Sequence, residues 1–306
     1  MVPQYFFICF KKLFMRLDGR RQSSNVDDRR GRSSLSGGRG FKLAGGGIGA
    51  LIIAALFTWI SGGNPLSVLT QGGTELLTGQ GTEQTYQPTA QDEEAAVFAK
   101  QIFAGTEDVW TREFQKMGRE YVPPKLVLFT DAVQSGCGGA TAQTGPFYCS
   151  ADQTVYIDLS FFNELKSMGI DGDFACAYVI AHEVGHHVQY LLGTLDQAHE
   201  AMARMSQTEA NKISVRLELQ ADFYAGVWAY NDNQMFNSLE AGDIEEGLNA
   251  ASKIGDDYLQ KQARGYATPE TFNHGRSDQR VRWLKLGAST GDIRRGDTFS
   301  PSYESL

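Results

Sequence analysis

The segment AHEVGHHVQ holds His182, Glu183 and His186, a H-E-x-x-H pattern of groups that can bind a metal and move a proton. On a helix, positions four apart lie on one face, so both imidazoles can reach one Zn²⁺ at about 2.0–2.1 Å. Glu183 is turned toward the open coordination side, where it can act as a base on water. The flanking residues are apolar: Val179, Ile180, Val184, Val188, Leu191 and Leu192. Burying a carboxylate and two imidazoles among them is costly unless a metal partners them, so the segment predicts a zinc site.

The third ligand decides the subclass of such a site. Gln189 and Leu192 stand where the metzincin pattern requires Gly and His, which excludes that class. Glu218 and Asp222 are again four apart, within RLELQAD, in the E-x-x-x-D arrangement of gluzincin-type peptidases. We predict that Glu218 is the third zinc ligand. Asp222 is predicted to accept the second ring N–H of a ligand histidine and so fix its tautomer.

Other roles are open to these two carboxylates. Glu218 could be a solvated helix carboxylate, and Asp222 could form an ion pair with Arg216 or Lys212 on its own helix. Three further residues compete as ligands, but they lie in less apolar stretches: His199, Glu200 and Glu209.

The predicted site would hydrolyse peptide bonds in a peptide or protein substrate. Zinc acidifies a bound water, and Glu183 takes its proton and passes it to the leaving amine. His274, in FNHGRS, is the first candidate for a donor to the negative intermediate, and Tyr266 is a weaker one. A purely structural role is the alternative for His274. Two other functions compete with proteolysis: a membrane-tethered zinc-containing binding protein, and a zinc hydrolase acting on other substrates.

Periodicity predicts the elements that position these residues. Two strands are expected, at Lys125–Phe129 and Val155–Leu159. Helices are expected at 92–117, 161–168, 174–192, 206–230, 244–263 and 277–288, the last with Ser277 as its N-cap. Few strands followed by many helices predict an α+β fold, a mainly helical zincin-like domain with a small β-sheet. The second strand precedes the zinc helix, so it is either the edge that aligns an extended substrate or an ordinary core strand.

The amino-terminal part differs from the rest in charge. Residues 1–42 hold ten Lys/Arg against three Asp, or +7, which leaves −15 for the remaining chain when subtracted from the total of −8. An acidic main domain repels phosphate backbones, so a nucleic acid partner is not expected. Oligomeric state is left open.

An uncharged run, LAGGGIGALIIAALFTWI, follows the basic part at residues 43–60 and is just long enough to cross a bilayer. All flanking bases precede it, so the positive-inside rule predicts a single-pass inner-membrane protein with a cytoplasmic N-terminus and a periplasmic catalytic domain. A cleaved signal peptide or a buried helix is the alternative. The predicted divisions are a basic cytoplasmic tail (1–42, of which 1–14 are expected not to be native), a transmembrane helix (43–60), a flexible linker (61–91) and a zinc metallopeptidase domain (92–306).

Cysteine use agrees with export. Cys137 and Cys149 bracket the loop CGGATAQTGPFYC, and closing a loop of this size contributes about 3 kcal/mol in the chain-entropy model. Disulfides persist in oxidising compartments, so this pair is predicted to be bonded, with two free thiols as the alternative.

Several segments together resemble the bacterial "putative neutral zinc metallopeptidase" family of membrane-anchored proteins. The similarity covers nearly the whole chain from Met15. The segments that carry it are RLDGRRQSSNVDDRRG, the GGG-containing apolar run, GPFYCSADQTVYIDLSFF, AYVIAHEVGHHVQ, RLELQADFYAGVWA and FNHGRSDQRVRWLKLG. The resemblance implies Zn²⁺ and proteolysis.

Overall fold

The structure is a computed structural model that describes residues 15–31 and 86–306. Helices dominate these residues. The α-helices are α1 (Ala90–Lys116), α2 (Phe161–Ser167), α3 (Asp173–Leu192), α4 (Thr194–Met202), α5 (Gln207–Phe236), α6 (Asp243–Lys253), α7 (Asp256–Arg264) and α8 (Ser277–Thr290). The strands are β1 (Val26–Asp28), β2 (Lys125–Phe129), β3 (Ala132–Ser135), β4 (Gly138–Thr141), β5 (Phe147–Cys149) and β6 (Thr154–Asp158). The predicted α+β class, mainly helical with small sheets, is confirmed for the described residues.

Four strands form one mixed sheet in the order β1-β2-β6-β5, and β3 and β4 pair as a separate hairpin. Strands β1, β2 and β6 run parallel, and β5 runs antiparallel to β6. Every residue of β6 is buried. Of the two alternatives for the second predicted strand, the structure shows the core strand, because the chain preceding it folds back as β5 and takes that edge of the sheet.

Helix α3, which carries the H-E-x-x-H pattern, is buried on most sides because its sequence is apolar nearly all round. It packs against α1, α5, α6 and the edge strand β5. Gly193 ends it in the left-handed conformation, with φ of 81°. The helix is thus held between the sheet and the long helix α5.

Helices α5 and α8 approach each other through glycines. A Cβ on Gly226 would lie 2.3 Å from the carbonyl oxygen of Leu284, and one on Gly287 would lie 2.1 Å from that of Phe223. Only glycine fits so close to a neighbouring backbone. This contact brings the side chains of α8 to the polar face that α3 and α5 share.

Residues 15–31 pack against the rest of the structure. Met15 is buried in the main hydrophobic core, β1 pairs with β2, and Arg20 forms a double hydrogen bond with Asp232 at 2.8 and 3.2 Å. These residues therefore belong to the same folded body as the helices, whereas the sequence predicted a separate tail at 1–42.

The predicted transmembrane helix at 43–60 and the linker up to residue 85 lie outside the described residues, as do residues 1–14. Among the helices of residues 15–31 and 86–306, none combines the length and the apolar character needed to cross a membrane.

Two helix predictions differ from the structure. The single helix predicted at 244–263 is two helices, α6 and α7, which are separated at Gly255. A Cβ there would lie 2.5 Å from the backbone nitrogen of Ser277, so the break allows a close approach of α8. Ser277 is the first residue of α8 and not its N-cap, and its N–H and O–H both donate to Asp257 at 2.8 Å. Helix α4 and the strands β1, β3, β4 and β5 are short and were not predicted.

Candidate metal centre

Three predicted ligands meet between α3 and α5. His182 Nε2 lies 3.2 Å from one oxygen of Glu218, and His186 Nε2 lies 3.4 Å from the other. One donor atom from each residue lies within 4.8 Å of the others. All three side chains are largely buried. The i, i+4 spacing on α3 and the crossing of α5 thus produce one compact donor set.

Hydrogen-bond partners fix the orientation of both imidazoles. His182 Nδ1 lies 2.8 Å from Asp222, whose carboxylate only accepts, so Nδ1 carries the proton. His186 Nδ1 lies 2.9 Å from the side-chain oxygen of Gln189. That amide cannot be flipped, because its nitrogen donates to the carbonyl oxygen of Leu217 at 2.7 Å. Both rings therefore turn Nε2 toward Glu218.

Asp222 is the centre of a buried polar network. Its carboxylate accepts from Tyr178 at 2.6 Å, from His182 at 2.8 Å, and from two nitrogens of Arg280 at 2.8 and 3.0 Å. Arg280 comes from α8, so the helix-bound pairs with Arg216 or Lys212 are not formed. Instead, Arg216 donates to the backbone of the C-terminal segment and Lys212 pairs with Glu209.

The charges of the site call for a cation. Burial alone would lower the pKa of His182, but the charges and hydrogen bonds of Asp222 and Glu218 raise it to about 10. Burial alone would raise the pKa of Glu218, and the two imidazoles hold it well below its usual range. Glu218 and Asp222 thus act on the imidazoles as buried negative charges, an environment that a bound cation would stabilise.

The donor set fits zinc in chemistry and in dimension. Two neutral imidazoles and one carboxylate are the His₂Glu set of catalytic zinc sites. Ligand atoms about 2.0–2.1 Å from a tetrahedral ion lie about 3.3–3.4 Å from one another. The two distances from Glu218 to the imidazoles, 3.2 and 3.4 Å, match that spacing. Asp222 and Gln189 supply the outer hydrogen bonds that such histidines require.

Glu183 lies beside these ligands and against the edge strand. It is buried, and burial raises the pKa of its carboxyl. The backbone of Tyr148, in β5, hydrogen-bonds the Glu183 side chain. The predicted base is thus held between the metal-binding face of α3 and the free edge of the sheet.

The third histidine of the motif locks that edge strand in place. His187 is fully buried, and its Nε2 lies 2.8 Å from the carbonyl oxygen of Val122, which only accepts. Nε2 therefore carries the proton and Nδ1 accepts the hydroxyl hydrogen of Tyr148 at 2.9 Å. Burial lowers the pKa of His187 to about 4, so the ring is neutral at pH 7. Neither the role of His187 nor the hydrogen bond from His186 to Gln189 was predicted from the sequence, although both residues lie within three positions of a ligand.

His274 is held close to the donor set by a buried carboxylate. Asp256 accepts three backbone N–H groups, from Asn273, His274 and Gly275, and lies 3.2 Å from His274 Nδ1. Burial alone would lower the pKa of His274, but Asp256 raises it, and the charge of Glu218 acts in the same direction. His274 is therefore near Glu218.

The weaker candidates are found elsewhere. Tyr266 is 62% exposed and lies under the guanidinium of Arg264, at 4.7 Å. Neither His199, Glu200 nor Glu209 joins the donor set. One other group of potential metal ligands occurs in the described residues, and it consists of Asp173, Asp243 and Glu246.

The predicted disulfide is present. Cys137, at the turn of the β3–β4 hairpin, is bonded to Cys149, the last residue of β5. The bond therefore ties the hairpin to the strand whose Tyr148 contacts Glu183.

Comparison with known proteins agrees with this geometry. The model of a family described as "putative neutral zinc metallopeptidase" matches residues 15–299. The uncharacterized protein YpfJ of Escherichia coli is 46% identical over 294 residues, which cover 94% of this chain and all of the relative. The uncharacterized protein Mb2605 of Mycobacterium bovis is 44% identical over 191 residues, or 59% of this chain and 64% of the relative. No solved structure matches the chain. With a matching zinc-binding donor set and a family match over most of its length, the chain belongs to the neutral zinc metallopeptidase family.

Proposed function

We propose that this chain is a zinc-dependent peptidase in which Glu183 is the general base. The observation that carries the proposal is the meeting of His182, His186 and Glu218 in one compact donor set with Glu183 beside it. A purely structural zinc site needs no such second carboxylate beside its ligands. Family membership supports peptides or proteins as the class of substrate.

The residues of the chain have separate tasks in this mechanism. His182, His186 and Glu218 would hold zinc, which when bound acidifies a water and polarises a carbonyl. Glu183 accepts a proton from the attacking water and delivers it to the leaving amine. Burial raises the pKa of Glu183, which makes its carboxylate a stronger base toward the water proton.

His274 is proposed as the second donor to the oxyanion that forms when water adds to the scissile carbonyl. Asp256 holds the Nδ1 side of its ring, which leaves Nε2 as the donor. The same carboxylate raises the pKa of His274 and so favours the protonated form that stabilises negative charge best.

The cellular setting is proposed on two grounds. The bond between Cys137 and Cys149 supports an oxidising, extracytoplasmic compartment for the described body. The uncharged run at 43–60 supports attachment to the cell membrane.

The experiment pairs two variants and a control. Glu183→Gln should keep zinc at the parent stoichiometry and lower peptide cleavage by about 10²- to 10⁴-fold, because glutamine cannot accept a proton. His182→Ala should lose zinc and cleavage together. Glu200→Gln makes the same carboxylate-to-amide change at an exposed position and should match the parent in zinc content and in peptide cleavage.

The outcomes separate the competing functions. Full cleavage by Glu183→Gln would refute the proposed base. A parent that binds zinc but cleaves nothing in a varied peptide library would favour the tethered zinc-containing binding protein.

A further inference from the structure

Residues 15–31 are built into the peptidase body through contacts on three of its elements. Strand β1 pairs in parallel with β2, with Val26 opposite Leu126. The backbone nitrogen of Met15 donates to Asp173 of α3 at 2.8 Å, and Gln101 of α1 donates to the carbonyl oxygen of Leu17 at 3.1 Å. Such contacts need both parts of the chain to be in one place.

The basic side chains of this segment are paired with acids of the body. Arg20 lies over the ring of Phe236 at 3.8 Å and pairs with Asp232, whose side chain is 1% exposed. Arg21 pairs with both Glu107 and Asp108.

The remaining three arginines of the segment are also in ion pairs. Arg16 pairs with Glu240, and Arg30 pairs with Asp28 and Glu93. Arg29 pairs with Asp27 inside the segment. Four of the five arginines of residues 15–31 thus pair with acids of the body, all except Arg29.

Gly31 and Tyr86 lie next to each other in this body. A Cβ on Gly31 would lie 2.7 Å from the ring of Tyr86, so the last residue before the gap touches the first residue after it. Arg30 also donates to the carbonyl oxygen of Asp92 at 3.0 Å, close to the start of α1. Whatever path the chain takes between residues 31 and 86, its two ends are neighbours.

We propose that residues 15–31 and residues 86–306 lie on the same side of the cell membrane, so that no single crossing separates them. A single crossing between them would separate the two parts by a hydrocarbon layer of about 30 Å, and none of the contacts above could form. The disulfide places that shared side outside the cytoplasm. The N-terminal segment then stabilises the enzyme body by adding a strand to its sheet and by forming ion pairs with its acids. The proposal does not depend on Glu183 being the base.

The first test labels one cysteine at a time in the full chain, in cells. Ser24→Cys and Ser289→Cys introduce one exposed thiol in each of the two parts. Both are made in a Cys9→Ser background, and the Cys9→Ser protein alone is the control that measures labelling of the buried Cys176. A membrane-impermeant maleimide is added to spheroplasts and, separately, to lysed cells. We expect both introduced thiols to react to the same extent in spheroplasts.

The outcomes are distinct. Labelling of one thiol in spheroplasts and of the other only after lysis would overturn the proposal. Labelling of both only after lysis would support the shared side but place it in the cytoplasm, against the inference from the disulfide.

The second test asks whether the ion pair between Arg20 and Asp232 forms in the intact protein. Arg20→Glu and Asp232→Arg should each lower the thermal midpoint by several degrees, because each puts like charges together in a buried pair. The double variant should recover most of the loss. An Arg20→Glu protein that melts with the parent would refute the docking, and so would a double variant less stable than both single ones.

Discussion

Replacing Asp222 with asparagine would perturb the metal centre without touching a metal ligand. The Asp222 carboxylate is fully buried and accepts from Tyr178, His182 and two nitrogens of Arg280. Asparagine keeps one oxygen acceptor, but its NH₂ group would face another donor. With its oxygen in the Oδ1 position, asparagine could still accept from Tyr178, His182 and one Arg280 nitrogen, but as a neutral and weaker acceptor. Arg280 would lose its second hydrogen bond, and it loses its counter-charge in any orientation of the amide.

Two separate effects are expected, with different sizes. Substitution of the outer hydrogen-bond partner of a ligand histidine typically weakens metal binding by about 10- to 100-fold, or about 1.4–2.7 kcal/mol. Leaving a buried arginine uncompensated typically lowers the free energy of unfolding by about 3–5 kcal/mol. Since a whole domain has only about 5–15 kcal/mol, the metal-free variant should be close to the limit of folding.

A second substitution separates these effects. Arg280→Met in the Asp222→Asn background removes the orphaned charge, so the unfolding free energy of the metal-free protein should recover while zinc affinity stays low. Zinc affinity is measured by competition with a chromophoric chelator and stability by urea unfolding in EDTA. Asp196→Asn, an exposed change of the same type on α4, is the matched control. Zinc affinity within twofold of the parent in the double variant would show that Asp222 does not orient His182.

Three further changes test other parts of the structure. Tyr148→Phe leaves the buried Nδ1 of His187 without its donor, so the unfolding free energy should fall by about 1–3 kcal/mol. The value of kcat/KM should also fall while zinc content stays unchanged. A kcat/KM equal to that of the parent would mean that the hydrogen bond from β5 to His187 does not affect catalysis. Burial raises the pKa of Asp243 to about 6, so the protonated carboxyl contributes to the stability of the fold below about pH 4, and this contribution is lost as pH rises through 6. In Asp243→Asn the decline of the urea midpoint between pH 4 and 7 should be flatter, and an unchanged profile would contradict this expectation. Gly226→Ala puts a Cβ 2.3 Å from the Leu284 carbonyl oxygen and should cost about 1–3 kcal/mol in thermal unfolding, whereas a stable variant would mean that α8 can move away at little cost.

The sequence was most informative where the chemistry lies within one helix. The spacing of His182 and His186, and of Glu218 and Asp222, is a local property, so helical geometry alone aligns each pair. The apolar residues around both pairs indicated burial, and the structure brings three of these four side chains together as the donor set. The helical fold class was predictable for the same reason, because helix periodicity is read over one or two turns.

Partners from distant parts of the chain could not be identified in this way. Arg280 is far along the chain from Asp222, and nothing in its own segment distinguishes it from an exposed arginine. Asp256 reaches His274 only because Gly255 breaks the predicted helix and allows α8 to come close. A residue that follows a glycine break carries no signal of what lies across the fold from it.

The charge of the N-terminal part shows why composition alone is ambiguous. An excess of arginine before an apolar run is expected for a cytoplasmic flank, and it is equally expected for a segment that docks on an acidic domain. The first interpretation leaves the arginines solvated, whereas the second requires a specific acid for each one. The structure supplies those acids, including the almost fully buried Asp232 for Arg20. A buried carboxylate without a counter-charge would be costly to the fold, so the domain needs this arginine whether or not a membrane is near. The pairing is therefore the stronger constraint, and the position of the segment relative to the membrane has to be consistent with it.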